Sequence, residues 1–188
     1  MADGVQPTCL AVERPFSMSK HQVSSFGQLH EALSAFSTQR TIFRGVKSVD
    51  YPLITSLGRM RFYRPDIPLV QQERLLFDRF KQRAIPLLEF PVEDEWDWLT
   101  LAQHHGLPTR LLDWTFNPLV AAYFAVEDGF FNGDSVIYAL TDLAEVDRIH
   151  QPNPFSVSTI MRLYPRHISH RLTTQCACGD VFAVPHRW

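Results

Sequence analysis

The chain has 188 residues, 45% hydrophobic with 14 Phe and 4 Trp, and a formal net charge of −2. That length sets one domain with an N-terminal extension, and the apolar content can build a real core. The charge gives no general pull toward nucleic acid or an anionic membrane, and no run of about 18 apolar residues marks a membrane span.

The N-terminal MADGVQPTCLAVERPF lacks the basic and long apolar regions of a secretory signal. Cys9, Cys176 and Cys178 are odd in number, which argues against a disulfide framework and for a reducing cytoplasm. The Cys176/Cys178 pair has no second pair to complete four zinc ligands, so no metal is expected.

Residues 1–23 read as a flexible arm without periodicity, punctuated by Gly4, Pro7 and Pro15. From Ser24 the pattern changes to a folded domain over 24–188. Phe26, Leu29, Leu33 and Phe36 fall on one helical face. Thr41 to Val46 predicts a short strand with Ile42 and Arg44 on one face and Phe43 on the other. Arg44, just before Gly45, either reaches an anion in a cleft or pairs with a carboxylate such as Asp113 or Glu73. Tyr51 to Leu57 reads as extended, since Pro52 restricts Tyr51. Arg59, Arg61 and Arg64, interleaved with Phe62 and Tyr63, form a short basic patch beside Asp66 and Glu73.

LVQQERLLFDRFKQRA (69–84) predicts an amphipathic helix ended by Pro86. Glu73 borders its apolar stripe, where a carboxylate needs a cationic partner. Glu93, Asp94 and Glu95 suit the positive end of the next helix, Glu95 to His105, which Gly106 and Pro108 terminate. Thr109 to Trp114 reads as an extended crossing. Asn117-Pro118 then opens a helix that is apolar nearly all round and is expected to be central and buried. Ser135 to Leu140 predicts a buried strand, residues 141–165 an irregular stretch around Pro152 and Pro154, and Asp180 to Val184 a last strand.

Between two strongly apolar runs, Leu99 to Glu127 carries Gln103, His104, His105, Thr109, Arg110, Asp113, Thr115 and Asn117. Polar groups in a buried sequence must satisfy one another or converge on a ligand. Adjacent histidines point apart on a helix, so His104 and His105 make a poor metal pair.

Phe43-Arg44-Gly45, the helix with an R-x-x-x-x-E-x-x-L-like pattern reaching Phe80, and AQHHGLPTRLLDWTFNPLVAAYFA (102–125) together resemble the FRG domain family, named for its first motif. The resemblance covers roughly residues 24–188. It carries a more distant similarity to ADP-ribosyltransferases, in which an arginine beside glycine on an early strand is followed by a Ser/Thr strand running into an alanine- and phenylalanine-rich helix. Arg44-Gly45 and Asp113-Trp114-Thr115 before the 118–125 helix match those two elements. The third element, a late strand bearing a glutamate, has Gln175 at the matching position.

The resemblance implies an α+β fold, a small mixed or antiparallel sheet or sheets flanked by helices, and NAD as substrate. Cleavage at the nicotinamide bond develops positive charge on the ribose, which a carboxylate stabilises, while an arginine fits the pyrophosphate. The implied catalytic set is Arg44, Glu73, His104, Asp113, Thr115 and Gln175, and the implied NAD-binding set is Arg44, Gly45, Gln103, Arg110 and Thr115. The acceptor is an unidentified protein or nucleic acid, and the role that of a toxin or phage-conflict effector. Two other readings stand beside it. One is a non-catalytic nucleotide- or protein-binding module. The other is a nucleic-acid-acting protein using Arg59, Arg61 and Arg64, whose binding must be steeply salt-dependent.

Overall fold

A computed structural model describes residues 19–36, 41–60, 66–89, 91–127, 133–166 and 180–184. Arg61, Phe62, Tyr63, Arg64, Gln175 and all three cysteines lie outside the described residues. The chain divides into two units, Met1–Ala35 and Phe36–Trp188. In the first, helix α1 (Phe26–Ser34) starts at Ser25, whose hydroxyl accepts the Gln28 amide, and none of its side chains is buried.

The second unit is an α+β fold built on one five-stranded sheet. Its strands are β1 (Ile42–Val46), β2 (Leu112–Thr115), β3 (Val136–Leu140), β4 (Met161–Leu163) and β5 (Asp180–Val184). The spatial order is β3-β1-β2-β5-β4, and neighbouring strands among the described residues pair antiparallel. Phe43 sits opposite Thr115 across β1 and β2, and Arg44 opposite Tyr138 across β1 and β3. Alternation along β1 turns Ile42 into a cluster with Leu112, Trp114 and Leu143, and Gly45 toward the helix that follows β2.

The helices of this unit are α2 (Ser56–Arg59), α3 (Leu69–Ala84), α4 (Glu95–His104) and α5 (Pro118–Val126). The stripe on α3 and the Trp-rich α4 bury Phe77, Trp96, Leu99 and Ala102 with Leu111 and Leu163 in a second core cluster. Cutting Phe77 or Trp96 back to alanine costs about 3–5 kcal/mol. The acidic start of α4 acts as expected, and Asp94 also caps the helix. Asp94 accepts the Asp97 amide at 2.8 Å, and Glu95 and Asp97 fill the first turn. Its end is a Schellman motif: Gly106 has φ +83°, its amide donates to Gln103 O at 2.9 Å, and Leu107 N donates to Ala102 O at 2.9 Å.

Four expectations are corrected. Helix α5 is not buried all round: Ala121 and Ala125 are, while Leu119, Tyr123, Phe124 and Val126 are each at least half exposed. The small residues face the sheet because the helix lies directly on Gly45, where a Cβ would stand 1.8 Å from Ala121 O. Strand β3 is half-buried along its length, since it is the sheet's edge and pairs only with β1. Ser56 and Leu57 belong to a helical turn rather than an extended segment, because Thr55 caps it by accepting the Gly58 amide at 3.1 Å. The irregular stretch holds a 3-10 turn at Pro154–Ser156 and strand β4.

Candidate functional site

The Schellman turn after α4 brings Gly106, Leu107 and Pro108 back across the start of β2 and opens a cleft of about 220 Å³. Its apolar floor is Leu107, Pro108, Leu111 and Leu112. Its polar wall is Arg44 from β1, Ser56 and Arg59 from α2, Gln103 from α4 and Asp113 from β2. Two stretches of sequence, 44–59 and 103–113, thus meet at one concave surface.

A hydrogen-bond chain fixes one side of that wall. Ser56 Oγ accepts the Thr109 amide at 3.1 Å and donates to the Thr109 carbonyl at 3.4 Å. The Thr109 hydroxyl accepts the Leu111 amide at 3.2 Å and donates to Gln103 Oε1. With its oxygen so engaged, the Gln103 amide presents Nε2, which donates to Asp113 Oδ1 at 2.5 Å. The order orients the amide unambiguously: a hydroxyl donor meets the oxygen, a carboxylate meets the nitrogen.

On the other side, Arg44 donates from Nη1 to the Asp113 backbone carbonyl at 2.5 Å, linking β1 to β2. Its Nε is buried without a hydrogen-bond partner among the described residues. Burial lowers the Arg44 pKa, Asp113 acts against this, and the charge of Arg59 adds to the lowering. The guanidinium remains a cation at any physiological pH. Arg59 is exposed and donates from Nη1 to Ile54 O at 3.1 Å.

The sequence-predicted residues therefore separate. Arg44, Gln103 and Asp113 converge on the cleft, whereas Glu73, His104, Arg110, Thr115 and Gly45 do not line it. Glu73 and Arg110, 2% and 4% exposed, form a two-pronged buried pair, Nε to Oε1 at 2.9 Å and Nη2 to Oε2 at 2.5 Å. Arg110 also donates to Pro154 O at 3.0 Å and lies 5.0 Å over the Phe155 ring. Both of its forks are spent inside the core, where a phosphate has no path to them. Thr115 is buried, and its hydroxyl accepts the Asn117 amide at 3.1 Å, setting up the Asn117 cap on α5. The open side of Gly45 is filled by the α5 backbone. His104 ends α4 edge-on to His105, with ring centroids 5.2 Å apart. Gln175 lies outside the described residues.

Two features escaped the sequence reading. Arg59, read from the sequence as part of a basic patch, lines the cleft, one turn after the Thr55 cap. Asp97, 2% exposed between two buried tryptophans, accepts from Arg148 Nη1 at 2.6 Å and pairs with Arg166 Nη1 at 3.4 Å. The signal for the second was present: a carboxylate inside WDW on a buried helix demands a cation. Among the described residues no cluster of His, Cys, Asp and Glu is arranged to hold a metal ion, and no helix is long and apolar enough to cross a membrane.

No curated protein and no solved structure is significantly similar to the chain. A family model, the FRG domain, matches residues 39–132, a span that contains Arg44, Ser56, Arg59, Gln103 and Asp113 and so every polar residue of the cleft wall. With half of its length matched, the chain belongs to the FRG domain family.

Proposed function

We propose that this chain is an NAD-using enzyme of the ADP-ribosyltransferase type, with the cleft between β1, β2 and the end of α4 as its active site. The observation that carries the reading is the meeting of Arg44 and Arg59 with the carboxylate of Asp113 at one cleft. The guanidiniums suit the pyrophosphate, whose oxygens match their planar donors. Asp113 suits the ribose: as the bond between C1′ and the nicotinamide nitrogen breaks, the electron pair leaves with nicotinamide. Positive charge then grows on the sugar, where a fixed carboxylate stabilises it more than it stabilises the ground state. Gln103 holds that carboxylate in place. The acceptor is a protein or nucleic acid, one of whose nucleophilic oxygen or nitrogen atoms bonds to C1′ and releases its proton to solvent, and the setting is a cytoplasmic toxin or phage-conflict effector.

Incubating the protein with NAD labelled in the adenylate, alone and with cell lysate, tests this. Nicotinamide release and label transfer are expected, both lowered at least tenfold in Arg44→Gln and Asp113→Asn. No release, no transfer and no NAD binding would defeat it.

A second reading, a nucleotide-binding module without catalysis, is favoured by one observation. Glu73 and Thr115, two of the expected catalytic groups, are engaged in structural bonds. Under that reading NAD or ADP-ribose binds and Arg44→Gln abolishes binding, but nicotinamide is never released.

A further inference from the structure

Arg59 and the unshared oxygen of Asp113 give the cleft a composition that bare phosphate does not satisfy. The Asp113 side chain is exposed, and Gln103 occupies its Oδ1. Among the described residues no hydrogen bond is made to Oδ2. An ionised carboxylate oxygen only accepts, so its complement is a donor such as a sugar hydroxyl, never another phosphate oxygen. On the same wall, Arg44 and Arg59 present two cations, and Arg59 raises the cost of keeping Arg44 charged. Their complement is a localised anion.

Size narrows the class. The space of about 220 Å³ lies below the roughly 300–1,000 Å³ of pockets that enclose a drug-sized ligand. A phosphorylated pentose is of this scale, and a whole dinucleotide is far larger.

We infer that the cleft recognises one ribose-phosphate unit, with its phosphate on Arg44 and Arg59 and a sugar hydroxyl donating to Asp113 Oδ2, and that it selects sugar phosphates over bare polyphosphate. The inference rests on the NAD reading for its placement in an enzyme but not for its chemistry. Arg59 sets affinity for the anion. Asp113 sets the preference, because it attracts the hydroxyl and repels a second phosphate. The Ser56–Thr109–Gln103 chain keeps Oδ1 engaged and Oδ2 facing the sugar.

Calorimetric titration of the full chain with ribose 5-phosphate and with inorganic pyrophosphate tests this. Charge alone favours pyrophosphate, so an opposite preference is diagnostic. The wild type is expected to bind ribose 5-phosphate at least tenfold more tightly. Asp113→Asn should collapse the ratio toward one, as the sugar phosphate loses affinity and pyrophosphate gains it. Arg59→Gln, an exposed change, should weaken both ligands by a similar factor and keep the ratio. Equal or reversed wild-type affinities, no binding of either ligand, an unchanged ratio in folded Asp113→Asn, or no effect of Arg59→Gln would each overturn the inference. Sugar-phosphate preference without nicotinamide release sinks the enzyme reading and leaves this one standing, and release with a flat ratio does the reverse.

Discussion

Replacing Glu73 with glutamine separates a structural role from a catalytic one. In the folded protein the two carboxylate oxygens receive the Arg110 fork at 2.9 and 2.5 Å, with both side chains almost wholly buried. Glutamine keeps the volume but turns one acceptor into an NH₂ donor facing a guanidinium donor, and it leaves a buried cation without its counter-charge. Breaking one side of such a pair costs about 3–5 kcal/mol, a large share of a total stability of about 5–15 kcal/mol. For a chain of this size that lowers Tm by roughly 6–20 °C, at about 2–4 °C per kcal/mol.

Removing both charges together, in Glu73→Leu with Arg110→Met, should return stability to within about 1 kcal/mol of wild type or exceed it, because the desolvation of two ions is no longer required. Urea unfolding followed by tryptophan fluorescence measures all three. The reasoning fails if Glu73→Gln costs less than about 1 kcal/mol. It fails equally if Glu73→Gln keeps full stability and loses nicotinamide release, since Glu73 would then be serving the cleft.

Gly45→Ala should destabilise by about 3 kcal/mol or more, at or above the upper end of overpacking costs. The added Cβ meets backbone atoms of α5, at 1.8 Å from Ala121 O and 2.7 Å from Ala125 N, and neither can swing away as a side chain would. A change in the urea midpoint equivalent to under about 1 kcal/mol would show that α5 is free to lift. Asp94 should confer a pH dependence. Burial raises its pKa, but the Asp97 amide and Arg148 outweigh this and hold it below 3.8. A lowered folded pKa adds stability that is complete above the ordinary aspartate range and lost as pH falls through the folded value. Asp94→Asn, which keeps a capping oxygen, should therefore be less stable than wild type at pH 7, with the difference closing in urea titrations taken down through pH 4 and below. A constant gap would contradict this.

What was legible in the chain followed local rules. The α3 stripe, the acidic start and glycine stop of α4, and the Asn117-Pro118 opening of α5 each rest on spacing within one or two turns. The need of Glu73 for a cation was legible too, because it borders an apolar face. Which cation it takes was not, for Arg110 is 37 residues away and Arg44 fitted the pattern as well. Helix α5 misled because an all-round apolar sequence carries no directional signal, so the choice of Ala121 and Ala125 as the packed face depends on Gly45 of another strand. Of the cleft, Arg44, Gln103 and Asp113 stood out as polar groups in apolar surroundings. Arg59 did not, since its place depends on a short helical turn at Ser56 that the extended reading of Tyr51 to Leu57 missed.

The most direct test of the central claim is a crystal structure of the protein soaked with ADP-ribose. The account predicts a phosphate of the ligand against Arg44 and Arg59, and a ribose hydroxyl donating to Asp113. Ligand density at another surface, or none at saturating concentration with the cleft accessible in the lattice, would contradict it.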